Sequence, residues 1–268
     1  MRTIHNSSIW KELFVTMNNI IFMIDMKLDH KPNRADAYKY SIASWRKWGD
    51  KNNCKMVVLE EPLTDPKVMS PTWQRYHLFE LLDNSGIEYD QVLMVDSDTI
   101  VHPDCPNFFN LTENKYSGVH CNGSYDWIFR SIENYSKYVF NGHEFSDWAK
   151  YINGGFQIVN KTHRSFFDAT IQFYNDNIVH LVDIQNTFHV GTDQPVVNFL
   201  LDIYKIDMKI LDYEFNMQDL AMHEGLTEDF LFTKFGWVYH FNAIPNNHES
   251  KISNMWMEKT YKELWGEI

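Results

Sequence analysis

Short apolar runs alternate with longer amphipathic segments over the first part of the chain. The runs at 18–25 (NNIIFMID), 54–60 (CKMVVLE) and 90–98 (DQVLMVDSD) have the length and composition of buried strands. Between them, residues 34–53 and 72–86 carry apolar side chains at helical spacing. This strand–helix–strand–helix–strand order predicts a parallel sheet with crossover helices, the arrangement of an α/β fold.

The pattern is less regular after residue 105. Residues 122–150 are polar and aromatic without a clean period, which indicates a loop with short helices. Strands are predicted at 116–121, 151–160, 208–216 and 237–245, and helices at 162–177, 191–204 and 253–265. We expect one domain over 1–268, built on a single Rossmann-like mixed sheet with a mostly parallel N-terminal half and helices on both faces.

Composition and charge narrow the classes of partner. Hydrophobic residues make up 44% of the chain and aromatic residues 16%, enough for a sizeable core. The formal net charge of −12 argues against nucleic acid as the main partner, because phosphate backbones bind clustered Lys and Arg. A small phosphorylated ligand is compatible with this charge, since a bound cation can reverse the local field.

The cysteines and the hydropathy of the chain indicate the cellular compartment. The three cysteines show no CxxC spacing, which is typical of free thiols in a reducing compartment. No segment reaches the roughly 18 to 20 apolar residues of a membrane span, and the N-terminus lacks the apolar block of a signal peptide. These features predict a cytoplasmic protein without a membrane span.

The stretch QVLMVDSDTIVHPD (91–104) places two carboxylates where a predicted buried strand ends. Ligands of open α/β sheets bind beyond the carboxyl ends of the strands. Asp96 and Asp98 should therefore share one edge of the sheet with Asp25, which ends the first strand. Three interpretations are open at this point: a solvated Asx turn, the nucleophile motif of a phosphatase, or a metal site for a sugar nucleotide.

The phosphatase interpretation rests on DSDTI, which resembles the Asp-x-Asp motif of the haloacid dehalogenase type. That motif normally follows the first strand of its fold, whereas two strand–helix units precede it here, and the later acidic pair of that family is not evident. In a sugar-nucleotide enzyme the same carboxylates would hold Mn²⁺ or Mg²⁺, which neutralises a departing diphosphate.

Several motifs together resemble GT-A fold glycosyltransferases. DQVLMVDSDTIV is similar to the strand that carries their DxD motif, and further stretches agree in the same order between about residues 19 and 256. The likeness is to retaining enzymes of the glycogenin and bacterial lipooligosaccharide galactosyltransferase type, and to galactomannan and xyloglucan side-chain transferases. It implies a nucleotide-binding half at about 19–105 and a half for the donor sugar and acceptor at about 106–256.

Two stretches resemble motifs of the donor-sugar pocket. YINGGFQIVN is similar to the strand that lines this pocket, with Asn153 and Gly154 at its key positions; the alternative is a turn into a buried strand. GTDQPVVNFLL resembles the helix start that carries the family's candidates for catalysis, here Asp193 and Gln194, where the alternative is an ordinary N-cap. An amide can bind sugar hydroxyls, and glycine lets a ligand approach the backbone.

WVYHFNAIPNNHESKISNMW resembles the C-terminal histidine motif of the family. The resemblance implies that His240 is the third metal ligand beside Asp96 and Asp98, and that Lys251 meets the diphosphate. The sequence departs from the family pattern here, because the spacing from His240 to Lys251 is longer than usual and Ile252 stands where proline is typical.

The resemblance also places nucleotide contacts in the first half of the chain. It implies that Asp25 lies near the base, that Arg34 and Tyr38 begin the following helix, and that Asp96 binds the metal or the ribose. Arg75 would lie opposite the diphosphate, because a guanidinium suits phosphate, although a solvated helix face fits the pattern as well.

The expected function is metal-dependent transfer of a hexose from a nucleotide-diphosphate sugar, UDP-hexose first, to an acceptor hydroxyl with retention of configuration. The acceptor is a glycan, a protein or a small molecule, and aromatic residues within 121–150 should shape its site, among them Tyr125, Trp127 and Trp148, with His143. The alternative from another class is a carbohydrate-binding protein that keeps the fold without turnover.

Overall fold

A six-stranded mixed sheet runs through the protein in the computed structural model, which describes residues 18–26, 36–244 and 251–268. The strands are β1 (Ile20–Ile24), β2 (Lys55–Leu59), β3 (Gln91–Val95), β4 (Thr99–Val101), β5 (Tyr116–His120), β6 (Ile152–Asn160), β7 (Met208–Leu211) and β8 (Val238–His240). The sheet has the order β2–β1–β3–β6–β5–β7, and β4 pairs with β8 as a separate ribbon.

The α-helices cover the two faces of this sheet. They are α1 (Tyr38–Lys51), α2 (Pro71–Gln74), α3 (Leu78–Asn84), α4 (Tyr125–Tyr138), α5 (Arg164–Phe188), α6 (Asp193–Ile203), α7 (Glu224–Thr227) and α8 (Lys251–Trp265). The predicted mixed α/β fold with helices on both faces is confirmed.

The N-terminal half of the sheet is parallel, as predicted. β1 pairs in parallel with both β2 and β3, and Met23 lies opposite Val95. Since parallel strands end at the same edge, Asp25 and Asp96 follow these residues on one edge of the sheet.

Alternate residues of the central strands enter two different cores, as the two-residue period of a strand requires. On one face, Phe22 and Met94 pack in a large cluster that includes Phe167 of α5 and Phe199 of α6. On the other face, Met23 and its neighbours pack against the tryptophans of α1. Burial on both faces explains why these strands appear in the sequence as continuous apolar runs.

Antiparallel pairing in the second half brings distant segments back to the edge where β3 ends. β6 runs antiparallel to β3, with Val95 opposite Phe156, and the backbone N–H of Asp96 donates to the carbonyl of Gly155 at 3.0 Å. In the ribbon, Thr99 of β4 lies opposite His240 of β8. These pairings place residues 96–99, 155 and 240 side by side.

Several predicted elements were wrong in type or extent. Residues 125–138 form one continuous helix, α4, where a loop with short helices was expected. The helix predicted at 162–177 extends to Phe188, and the one at 72–86 is divided by a 3-10 turn at Arg75–His77. The strand predicted at 208–216 ends at Leu211, after which the chain turns.

Within the described residues, no helix is long and apolar enough to span a bilayer.

Candidate active site

Two carboxylates and an imidazole meet at the end of β3. Nε2 of His240 lies 3.2 Å from Oδ1 of Asp98 and 3.7 Å from Oδ2 of Asp96. One ligand atom from each residue can be chosen so that all three lie within 4.8 Å of one another. We call Asp96, Asp98 and His240 the carboxylate–imidazole cluster.

The local fold explains why these three residues converge. β3 ends at Val95, and the chain turns through Asp96–Asp98 into β4. The Thr99 hydroxyl donates to the Asp96 carbonyl at 2.7 Å, and the Phe241 N–H donates to the Asp98 carbonyl at 2.9 Å. The pairing of β4 with β8 therefore fixes both the acidic turn and the backbone of His240.

The environment of His240 favours a positive charge. Burial alone would lower the pKa of this imidazole, but the carboxylates of Asp98 and Asp96 outweigh it and raise the pKa above the usual histidine value. Its Nδ1 is buried and has no hydrogen-bond partner among the described residues. The nitrogen that does have neighbours, Nε2, is the one directed at the two carboxylates.

A second group of polar side chains adjoins the first. Nη2 of Arg75 donates to Oδ1 of Asp96 at 2.7 Å, its Nη1 donates to the Gly154 carbonyl at 2.8 Å, and its Nε lies 4.0 Å from Oδ2 of Asp193. Gln194 accepts the Gly154 N–H at 2.8 Å. We call Arg75, Asp193 and Gln194 the arginine cluster.

Arg75 and Asp193 are both buried, which corrects the idea that Arg75 lies on a solvated helix face. Burial alone would lower the pKa of Arg75, but Asp96 and Asp193 raise it, so this side chain stays charged. Burial raises the pKa of Asp193, against the opposing effect of Arg75 and with a further increase from Asp96. The hydroxyls of Tyr76 and Thr192 donate to the two oxygens of Asp193 at 3.3 and 2.9 Å.

Gly155 is a site residue that sequence reasoning missed. A Cβ atom at this position would lie 2.5 Å from Cε1 of His240 and 2.6 Å from Oδ2 of Asp96. Real Cβ atoms do not approach other atoms so closely, so only glycine leaves room for the two side chains to meet. The Gly-Gly pair within YINGGFQIVN was the available signal.

Asn153 lies two residues before this glycine in β6 and is buried. Its Oδ1 accepts the Gly155 N–H at 2.9 Å and the Asn216 Nδ2–H at 3.0 Å. Gln218, two residues beyond Asn216, donates to the His120 carbonyl at 2.8 Å. Sequence reasoning missed Asn216 and Gln218, because only tertiary contact links them to Asn153 and β5.

Asp219 is a further buried carboxylate beside the carboxylate–imidazole cluster. Its backbone is left-handed, with φ 53°, and its N–H donates to Oδ1 of Asn242 at 2.8 Å. Burial raises the pKa of Asp219, and the Asn242 hydrogen bond and the charge of His240 oppose the shift. Asp219 was not among the predicted site residues; the polar pair Gln218–Asp219 after the strand predicted at 208–216 was the available signal.

The remaining predicted contacts lie at the margins or beyond the described part of the chain. Asp25 follows β1, is half-buried, and donates its N–H to the Leu59 carbonyl at 3.0 Å. Tyr38 is the half-buried first residue of α1. Arg34 lies outside the described residues, and the side chain of Lys251, the first residue of α8, lies outside them as well.

His143 and Trp127 differ in their relation to the site. His143 pairs with Asp202 at 2.7 Å, which is about 13 Å along α6 from Asp193, so the structure does not place it at the site. The ring of Trp127 lies so close to Gly191 that a Cβ there would be 2.6 Å from it. Trp127 therefore packs beside the start of α6.

Comparison with known proteins supports the fold. No protein-family model matches this sequence, and no curated protein matches it. Among solved structures, the chain is similar to a glycosyltransferase involved in the glycosylation of the major capsid of PBCV-1, with 14% identity and a TM-score of 0.57, over 90% of this chain and 99% of that one. The glycosyltransferase GlyE of Streptococcus pneumoniae TIGR4 aligns with 13% identity and a TM-score of 0.49, over 92% of this chain and 62% of that one.

Proposed function

We propose that this protein is a metal-dependent glycosyltransferase of the GT-A type, which moves a hexose from a nucleotide-diphosphate sugar, with UDP-hexose the favoured donor, to an acceptor hydroxyl. The observation that carries the proposal is an imbalance of charge. Asp96, Asp98 and Asp193 bring three carboxylates together with one guanidinium, Arg75, so two negative charges remain once His240 has lost its proton. One divalent cation would cancel them.

The donor set fits such a cation. Carboxylate oxygens and an imidazole nitrogen are suitable ligands for Mn²⁺. Bonds of about 2.1 Å at right angles place neighbouring donors about 3 Å apart. The spacings of 3.2 and 3.7 Å from His240 to the two carboxylates are near this value. Mn²⁺ or Mg²⁺ would be held by Asp96, Asp98 and His240.

A bound divalent cation supplies Lewis acidity, which stabilises the charge on a departing diphosphate. Around it, the residues of this chain have separate tasks in the proposal. Arg75 holds Asp96 in place and keeps its second oxygen directed at His240. His240 binds through neutral Nε2, so it must lose its proton before the cation enters.

The arginine cluster suits an uncharged sugar ring. Gln194 and Asn153 are amides that can donate to and accept from hydroxyl groups, and Asp193 can accept. They are fixed by their neighbours: Gln194 by the Gly154 N–H, Asn153 by Asn216. Fixed dipoles that need no rearrangement stabilise charge that develops on the sugar as the bond to phosphate breaks. Retention of configuration is part of the proposal and rests on the family resemblance.

Two alternatives are disfavoured by particular contacts. A phosphatase nucleophile needs a free carboxylate oxygen, whereas one oxygen of Asp96 is bonded to Arg75 and the other is directed at His240. A carbohydrate-binding protein without turnover does not require three carboxylates around one guanidinium. Grouped carboxylates repel one another, and a neutral sugar can be bound without them.

Nucleotide release from a panel of UDP- and GDP-hexoses tests the proposal. We expect release that needs Mn²⁺ or Mg²⁺, that stops with chelator, and that falls by about 100-fold or more in Asp98→Asn, because the cation loses a charged ligand. Asp104→Asn is the matched control, since Asp104 lies on the same segment but is exposed. If neither chelator nor Asp98→Asn lowers the activity, the metal has no part in the reaction. NMR of the product determines its anomeric configuration.

A further inference from the structure

Three aromatic side chains form an exposed patch beside the candidate site. Tyr125 is 52% exposed, Phe129 is 51% exposed and Trp148 is 42% exposed. Their rings contact one another, with centroid distances of 6.2 Å for Tyr125–Phe129, 6.2 Å for Tyr125–Trp148 and 5.9 Å for Phe129–Trp148. Single exposed apolar residues are ordinary, but a contiguous set marks a binding surface. We call these three residues the aromatic platform.

The platform is held in place from two sides. Tyr125 and Phe129 are one helical turn apart on α4, whose first turn is capped by the hydroxyl of Ser124. Trp148 begins a short 3-10 turn capped by Asp147, and its ring packs edge-on against His120 at 4.9 Å. The rings therefore belong to fixed backbone segments rather than to free side chains on a loop.

The segment that joins β5 to α4 connects the platform to the site. Cys121 accepts a hydrogen bond from Nε2 of Gln194 at 3.4 Å. A Cβ on Gly123 would collide with the carboxylate of Asp219, so this backbone lies directly against that buried acid. Tyr125 follows two residues later. A ligand that reaches the site past this segment meets the platform next.

The surroundings of the platform decide which kind of ligand it suits. Residues 125–150 carry four acidic and three basic side chains, so this segment offers no basic cluster to attract nucleic acid or anionic lipid. A stable protein interface uses about 20 to 30 residues on each side, far more than three rings. The flat face of a pyranose, with its axial C–H groups, matches an aromatic ring in size and is attracted by its negative π face.

We infer that the aromatic platform receives the acceptor, and that the acceptor is a saccharide; this inference rests on the proposed glycosyltransferase function. The rings stack against the sugar units that precede the reacting one and hold its hydroxyl toward the donor site. The platform thus selects a glycan from the three acceptor classes that the sequence left open.

Saccharide binding can be measured without turnover. The probes are maltotriose, cellobiose, lactose, xylotriose and chitotriose, each followed by saturation-transfer NMR on the full chain with Mn²⁺ and UDP. We expect at least one to bind, and the combined Tyr125→Ala, Phe129→Ala and Trp148→Ala variant to weaken it by about 10-fold or more, because each stacked ring contributes. As a single substitution, Trp148→Phe keeps a ring and should retain most of the affinity that Trp148→Ala loses.

Tyr204→Ala is the matched control. Tyr204 is 51% exposed but lies just beyond the end of α6, about 16 Å along the helix from Asp193. It should bind every probe as the original chain does. If the combined variant fails to fold, by circular dichroism and thermal unfolding, Phe129→Ala and Trp148→Ala are tested singly.

Separate outcomes distinguish this inference from the function it rests on. If no probe binds, or if the platform variants bind as well as the original chain, the inference is overturned, even when nucleotide release is found. Binding to phosphatidylserine vesicles that the combined variant abolishes would also overturn it, in favour of a membrane surface. Platform-dependent saccharide binding without nucleotide release from any donor would support the platform and contradict the proposed transfer.

Discussion

The carboxylate–imidazole cluster and the arginine cluster adjoin each other but differ in how their charges are balanced. In the first, two carboxylates face an imidazole, and one oxygen of Asp96 accepts a hydrogen bond from Arg75. In the second, a buried carboxylate, Asp193, is accompanied by the same guanidinium and by two hydroxyl donors. The first cluster has charge left over, and the second has its charge matched within the protein.

This difference separates the two binding tasks of the proposed reaction. Leftover negative charge in a partly buried position is costly unless a cation enters, so in the proposed reaction the first cluster has the task of holding the metal ion. A site whose charges are matched can hold a neutral hexose through amides and hydroxyl contacts without attracting a second cation. Arg75 connects the clusters, because it donates to Asp96 and lies 4.0 Å from Asp193.

Gly155→Ala should have the largest effect on this contrast. The added Cβ takes the space in which His240 and Asp96 meet, so we expect Mn²⁺ affinity to fall by about 1000-fold. Gly154→Ala is the matched control, because its Cβ would lie 3.3 Å from the Gln194 side chain and meets only the arginine cluster. Calorimetric titration with Mn²⁺ measures both, and equal affinities in the two variants would contradict the assigned geometry.

Arg75→Met should come next, because it leaves the buried Asp193 and the half-buried Asp96 without their shared cation. We expect the free energy of unfolding to fall by about 3 kcal/mol. Arg164→Met removes the exposed ion pair with Asp83 and should cost less than about 1 kcal/mol. Denaturant unfolding without metal measures the two losses; a loss for Arg75→Met as small as the control would mean that Arg75 does not balance the clusters.

The dependence of Mn²⁺ binding on pH should be a smaller effect. The pKa of His240 is raised by Asp98 and Asp96, and the proton must leave before Nε2 binds the cation. In metal-free protein the protonated imidazole contributes stability that is fully present below its unfolded pKa and is lost as pH rises through the folded pKa. Because the proton and Mn²⁺ compete for Nε2, Mn²⁺ affinity should fall about tenfold for each unit by which the pH drops below the folded pKa.

Calorimetry in two buffers that differ in ionisation enthalpy measures how many protons are released for each Mn²⁺ ion bound. Below the folded pKa of His240, we expect close to one proton released per Mn²⁺ bound. His180→Gln, which removes an exposed histidine on α5, should leave that number unchanged. Binding without proton release at low pH would show that His240 is not a ligand.

The sequence predicted the first half of the sheet and its functional edge well, because buried parallel strands leave continuous apolar runs. Asp96 and Asp98 were expected at the edge where β3 ends, and the structure brings His240 to them as the resemblance implied. The sequence could not predict that β4 and β8 form a ribbon. Each strand has only three residues, and more than a hundred residues of chain separate them. Gly155 was missed for the same reason, because its constraint comes from side chains distant in sequence.

α4 shows a different limit. Ile128, Ser131 and Tyr135 are buried at helical spacing, so the sequence of this segment does carry the period of a helix. Tyr125, Phe129 and Tyr138 occupy exposed positions of the same helix. Aromatic residues at exposed positions made the segment resemble a loop with short helices, and two of them, Tyr125 and Phe129, belong to the aromatic platform.

One titration tests the central claim that only the first cluster is built for a cation. Mn²⁺ is titrated calorimetrically into the original chain, Asp98→Asn and Asp193→Asn, each of which removes one negative charge with little change in shape. We predict one site in the original chain, a loss of about 100-fold in Asp98→Asn, and a change within about threefold in Asp193→Asn. Equal losses in the two variants, or no Mn²⁺ binding by the original chain, would contradict the claim.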